Sequence, residues 1–102
     1  MKISVASKGK DEESFLSEVS ARAPYFLIFE NGKLVESIKN PFTVGGGAGY
    51  SAAHLMSEKG VELIVSGGKF GPVLKMSLED KGIKMKQFSS SLKVKDALKK
   101  VM

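Results

Sequence analysis

The sequence contains no cysteine, so disulfides, thiolate metal ligands and thiol nucleophiles are all excluded. It has one histidine, His54, and no site that needs two imidazoles from one chain can be built. Arginine is equally scarce, Arg22 standing alone among the basic residues. Only Phe70 and Phe88 lie among the lysines of the second half, which argues against nucleic-acid recognition by base stacking. No apolar run approaches the roughly 20 residues that span a bilayer. The apolar start Ile3-Ser4-Val5-Ala6 is only a strand's length, unlike the core of a signal peptide. These absences make a soluble cytoplasmic protein, without membrane contact, the expectation.

What is present is a chain of 102 residues with 42% apolar content, enough for one domain over residues 1–102 with a single modest core. The net charge of +5 is unevenly placed. Residues 1–51 carry six basic and six acidic side chains, whereas residues 52–102 carry ten lysines against five acids. The second half therefore attracts anionic ligands or an acidic protein partner, unless its lysines simply form a solvated surface.

Periodicity divides the chain into alternating elements. Lys2 to Ala6 reads as a strand, and Ser7 to Ser20 as a polar loop or a short irregular helix. Pro24-Tyr25-Phe26-Leu27-Ile28-Phe29 is apolar on both faces, as a central strand requires. Asn31-Gly32 then signals a tight hairpin into Leu34-Val35-Glu36-Ser37-Ile38. Beyond Asn40-Pro41 the pattern turns helical from Ala48 to Lys59, with Ala48, Ala52, Leu55 and Met56 on one face and Gly60 as terminator. Val61 to Val65 is a short β-branched strand. Phe70, Val73, Leu74 and Leu78 recur at helical spacing, and Ile83 to Phe88 alternates as an edge strand. Ser89-Ser90-Ser91 offers caps for a last helix carrying Val94, Ala97, Leu98 and Val101.

The order β-β-β-α-β-α-β-α predicts a three-layer α/β/α domain. Right-handed crossovers between parallel strands leave one economical arrangement, a mixed five-strand sheet of order 3-2-1-4-5 with only strand 2 antiparallel. Ser7-Lys8-Gly9 and two glycine-rich loops, Gly45-Gly46-Gly47-Ala48-Gly49 and Ser66-Gly67-Gly68-Lys69-Phe70-Gly71, then leave the carboxyl edge of the sheet. Open α/β sheets place their ligands at that edge. Structural glycines for tight turns would explain both loops. The functional alternative is an anion or cofactor pocket of N–H groups at two helix starts, with Gly46, Gly47, Gly49, Gly67, Gly68 and Gly71 as backbone and Ser7, Lys8, Arg22, Ser66 and Lys69 as polar lining. Tyr50 adds a stacking or hydroxyl contact. His54 lies about 200° around the helix from Ala52 and faces solvent or the helix flank, four residues before Glu58.

Met1-Lys2-Ile3-Ser4-Val5-Ala6-Ser7, Arg22-Ala23-Pro24-Tyr25-Phe26-Leu27, Gly46-Gly47-Ala48-Gly49, Glu58-Lys59-Gly60-Val61 and Gly68-Lys69-Phe70-Gly71-Pro72 occur in this order along nearly the whole chain. Together they resemble the dinitrogenase iron–molybdenum cofactor biosynthesis family, the NifX-like proteins with a ribonuclease-H-like core. The resemblance implies the same α/β/α fold and, for members with known roles, carriage or insertion of iron–sulfur-based cofactor precursors. It departs from the family pattern at Val19-Ser20-Ala21, where an arginine and a glycine are usual, and at Val73-Leu74, where Asn-Ala is usual.

Catalysis finds no support in the residues. A two-metal nuclease needs carboxylates converging from the central strands, yet Lys2-Ile3-Ser4-Val5-Ala6 has none and Asp11-Glu12-Glu13 are consecutive. There is no nucleophile elbow, P-loop or dinucleotide fingerprint. Three non-enzymatic functions remain: a carrier of a metal-cluster precursor, possible iron–sulfur cargo included, with His54 as a soft metal ligand; a small-anion or nucleotide-binding domain; and a protein-interaction module using the lysine-rich half.

Overall fold

In the computed structural model, which describes residues 1–102, five strands and three helices follow one another in the expected order. They are β1 (Lys2–Ser7), β2 (Tyr25–Glu30), β3 (Lys33–Lys39), α1 (Ala48–Glu58), β4 (Leu63–Ser66), α2 (Pro72–Asp80), β5 (Lys84–Gln87) and α3 (Val94–Val101). The sheet order is β3-β2-β1-β4-β5. β2 is antiparallel to both neighbours, and β1, β4 and β5 run parallel. Fold and strand order are thus those the periodicity predicts.

Alternation along each strand sends side chains to two cores. Phe26, Ile28 and Ile64 face α1 and α2, where Ala52, Ala53, Met56, Leu74 and Leu78 cover them. Ile3, Val5, Leu27, Phe29 and Val65 face the opposite side, closed by Val94, Ala97 and Leu98 of α3 and by Leu16. β2 contributes to both cores, and burying each of its phenylalanines contributes about 2 to 3 kcal/mol. The hairpin to β3 turns at Asn31 and Gly32, with φ of 53° and 81°, as a two-residue hairpin of this twist demands. The register of β2 and β3 shifts between Ile28 and Phe29. Leu34 pairs with Phe29 and Glu36 with Ile28, so Val35 is the extra residue. The shift aims Glu36 at the α1 side, where its carboxylate meets Lys59 Nζ at 2.9 Å.

One local expectation is narrowed, Ser7 to Ser20 being the loop of its two readings, and another is corrected. Residues 8–18 form no helix, because Leu16 is their one fully buried apolar anchor and nothing repeats at helical spacing. The segment is instead laced to its neighbours: Ser17 N–H donates to Ala6 O and Leu16 N–H to Leu92 O, both at 2.9 Å. The serines before α3 do not cap it either. Ser89 and Ser91 hydroxyls bond each other at 2.7 Å, and Lys93 is the N-cap residue. The orphan N–H groups of the first turn are taken by distant carbonyls, Val94 N–H by Ser14 O at 2.8 Å and Lys95 N–H by Glu12 O at 3.0 Å. Glu13 adds an ion pair to Lys95 at 3.0 Å and one to Lys93 at 3.4 Å. The hydrogen bond from Lys95, then its charge, holds the Glu13 carboxyl below its ordinary range, and Glu13 in turn raises the Lys95 ammonium.

Candidate functional site

Parallel β1 and β4 end together at one edge of the sheet, and antiparallel pairing brings Tyr25 and Lys39 to the same edge. The segment 8–24, the loop from Asn40 to Gly47, the loop from Gly67 to Gly71 and the start of α3 therefore share that edge. Asn40, buried, ties two of these segments at their roots. Its amide nitrogen donates to Ala21 O at 2.9 Å and Ala23 O at 2.8 Å, while its oxygen accepts from Phe42 N–H at 2.8 Å.

The loop after β4 is clamped. Gly67 N–H donates to Ser17 O at 2.9 Å. Ser66 Oγ accepts from the Ser20 hydroxyl at 2.7 Å and from Gly68 N–H at 3.3 Å, and Ser20 Oγ also reaches Lys69 O at 3.0 Å. A methyl group on Gly67 would approach Leu16 Cβ and Ser90 Cα to 2.8 Å, and one on Gly68 would overlap the Glu18 carbonyl oxygen. These two glycines are therefore required by packing against residues 16–18.

The loop before α1 is built differently. Gly47 is its N-cap residue, with φ of 76°, and neither α1 nor α2 has a side-chain cap. A side chain at Gly45, Gly46 or Gly47 would meet nothing within 4 Å. Gly46, like Gly71, also lacks the positive φ that would favour glycine. At Gly49 the two helix starts meet, since a methyl group there would come within 2.9 Å of the Leu74 nitrogen. Two uncapped helix N-termini, each with its partial positive charge, thus lie side by side.

The residues anticipated as polar lining divide into two groups. Ser7 and Ser66 are fully buried; the Ser7 hydroxyl donates to Gly9 O at 2.7 Å and accepts from Gly9 N–H at 3.2 Å, so both hydroxyls hold loops rather than face the edge. Lys8, Arg22 and Lys69 are exposed. Lys8 pairs with Glu18 at 3.4 Å, while Arg22 and Lys69 take part in none of the ion pairs. His54 pairs with Glu58 at 3.4 Å. It sits six residues into α1, about 9 Å along the axis from the helix start, and so is not gathered with the glycine loops. Ser17, Ser20 and Asn40 do more to shape the edge than sequence reasoning allots them. Only Asn40, before Pro41, carries a local turn signal; the serines act through partners more than forty residues away.

No group of three His, Cys, Asp or Glu side chains is placed to hold a metal ion. A cluster ligated by protein side chains therefore does not fit. No helix is long and apolar enough to cross a membrane.

The architecture is that of a small three-layer α/β/α domain with a polar backbone edge. The model of the family described as "Dinitrogenase iron-molybdenum cofactor" matches residues 1–102. The chain belongs to that family, the NifX-like proteins that its sequence resembles. Among solved structures it is similar to the apo form of the orange protein from Desulfovibrio gigas, with a TM-score of 0.89 and 25% identity over 98% of this chain and 85% of that one. It is also similar to a putative NifB protein from Thermotoga, with a TM-score of 0.81 and 27% identity over 98% of this chain and 85% of that one. No curated protein sequence matches it.

Proposed function

We propose that the chain is a non-enzymatic carrier domain whose carboxyl edge receives an anionic metal–sulfur precursor of a cofactor. The observation that carries this reading is the juxtaposition of the α1 and α2 starts at Gly49 and Leu74, with no side chain capping either helix. Orphan N–H groups at helix starts favour anions. Gly46 and Gly71 add open backbone, and Arg22 and Lys69 add cations without an acidic partner in the chain. Membership of a family described by an iron–molybdenum cofactor, and likeness to a protein solved in its apo form, support cargo of that class. The cargo is held by hydrogen bonds and charge, because the side chains offer no coordination shell. His54, with Glu58, is the one imidazole that could add a bond from the flank.

Anaerobic mixing with a synthetic thiol-capped iron–sulfur cluster, followed by gel filtration with visible absorption, tests the reading. Colour co-eluting with the protein is the expected result, with His54→Ala retaining most of it and Lys69→Ala losing it. A colourless protein peak overturns the cargo. If inorganic phosphate then raises the melting temperature, the same edge is a simple anion site.

A further inference from the structure

We propose that the outer edge of β5 receives an acidic, extended segment of a partner protein as a sixth strand. β5 ends the sheet and pairs only with β4. Lys84 N–H and Phe88 N–H donate inward, to Glu62 O at 3.0 Å and Ser66 O at 2.9 Å. In a parallel ladder alternate residues face opposite edges, so Met85 and Gln87 turn their N–H and C=O groups outward. Added strands bind through such groups, and their alternate side chains find pockets on the two faces.

Both faces beside this edge are basic. Met85 packs toward the α2 side, where a cleft of about 380 Å³ is lined by Lys69, Phe70, Lys75, Met85 and Gln87. Lys84 and Lys86 pair with Leu63 and Val65 and so project to the other side, Lys86 lying 5.6 Å from the Phe88 ring centroid. None of these four lysines takes part in an ion pair. From Lys81 to Lys95 the sequence contains no acid. A glutamate of an incoming strand fits the cleft well: its methylenes cover Phe70 and Met85, and its carboxylate reaches Lys69 or Lys75.

The opposite edge shows what this one lacks. β3 alternates Lys33, Glu36 and Lys39, commits Glu36 to Lys59, and is broken by the extra residue at Val35. Edge lysines ordinarily protect a sheet against pairing with its own copies. On β5 the same charges repel a second copy and select a strand of opposite sign. The proposal does not rest on the cargo at the glycine loops, although Lys69 lies within reach of both sites.

The test is amide NMR of the whole chain at low salt with an acetylated hexapeptide alternating glutamate and valine. The expected result is displacement and slowed exchange of the Met85 and Gln87 amides. Methylation of alternate peptide nitrogens should abolish binding, as should gathering the glutamates at one end of the same composition. Lys84→Glu with Lys86→Glu, at two exposed positions of β5 on the face away from α2, should weaken binding at least tenfold without changing the melting temperature or cluster retention. Equal binding of the N-methylated peptide, or shifts confined to Lys95 to Lys100, would mean diffuse charge attraction and overturn the proposal. So would a dimer through β5 in sedimentation of the free protein.

Discussion

The two glycine-rich loops reach the same edge of the sheet but are glycine-rich for opposite reasons. Residues 67 and 68 are glycine because Leu16 Cβ, the Ser90 backbone and the carbonyls of Ser17 and Glu18 occupy the space a side chain would fill. Residues 45 to 47 have empty space above them, and at Gly45 and Gly47 the constraint is backbone rotation, with φ of 88° and 76°. A crowded glycine reports on the fold, whereas a glycine with neither crowding nor positive φ, as at Gly46 and Gly71, leaves room for a ligand. Glycine content alone cannot separate the two cases; what lies across from each residue does.

The comparison breaks hardest at Gly68. Gly68→Ala forces its methyl group into the Glu18 carbonyl, and overpacking against backbone should cost about 3 kcal/mol or more. Thermal unfolding should show a melting temperature lower by roughly 10 °C or more; a fall of a degree or two would show that the clamp yields easily. Ser20→Ala removes the hydroxyl that joins Ser66 to Lys69 O and should cost about 1 to 2 kcal/mol, read by urea denaturation. Gly47→Ala meets no atoms but places a Cβ in a left-handed conformation, for about 1 kcal/mol in the same assay.

Acid should loosen the clamped loop toward the open one. Glu13 is held below its ordinary pKa of 4.5 by Lys95, so its contribution is present above the carboxylate range and is lost as pH falls through the lowered value. Lys95 is raised above its ordinary 10.5, so the pair also weakens as pH rises through that higher value. Hydrogen exchange of residues 14–17 should accelerate at the acid limit, and Glu13→Gln should remove that acid step. The smallest stability effect belongs to Gly46→Ala and Gly71→Ala, expected within about 0.5 kcal/mol of the parent. If the edge binds the cluster, these two variants lose retention while melting normally; unchanged retention would remove them from the site.

Strand order and helix identity were legible because they rest on local period and on handedness. The double-faced run Tyr25 to Phe29 declares a central strand, and Asn31-Gly32 declares the hairpin. What could not be read depends on distant partners. Leu16 looks like an interruption in a polar stretch until Val5 and Val94 supply its surroundings. Ser89 to Ser91 look like caps until the carbonyls of Glu12 and Ser14 reach the helix first. At the site, glycines and lysines were visible as residue types, but the inward turn of Ser7 and Ser66 and the role of Ser20 needed the third dimension.

The borrowed cap of α3 has a consequence for how the chain is made. During synthesis, all five strands emerge before α3, so the sheet face of Ile3, Val5, Leu27 and Phe29 waits uncovered while the other face already has both its helices. Residues 12 to 14 wait as well, since the N–H groups that fix them belong to that helix. The nascent domain is therefore lopsided until its final turns arrive, when one docking event closes the second core and fastens the segment against which Gly67 and Gly68 rest.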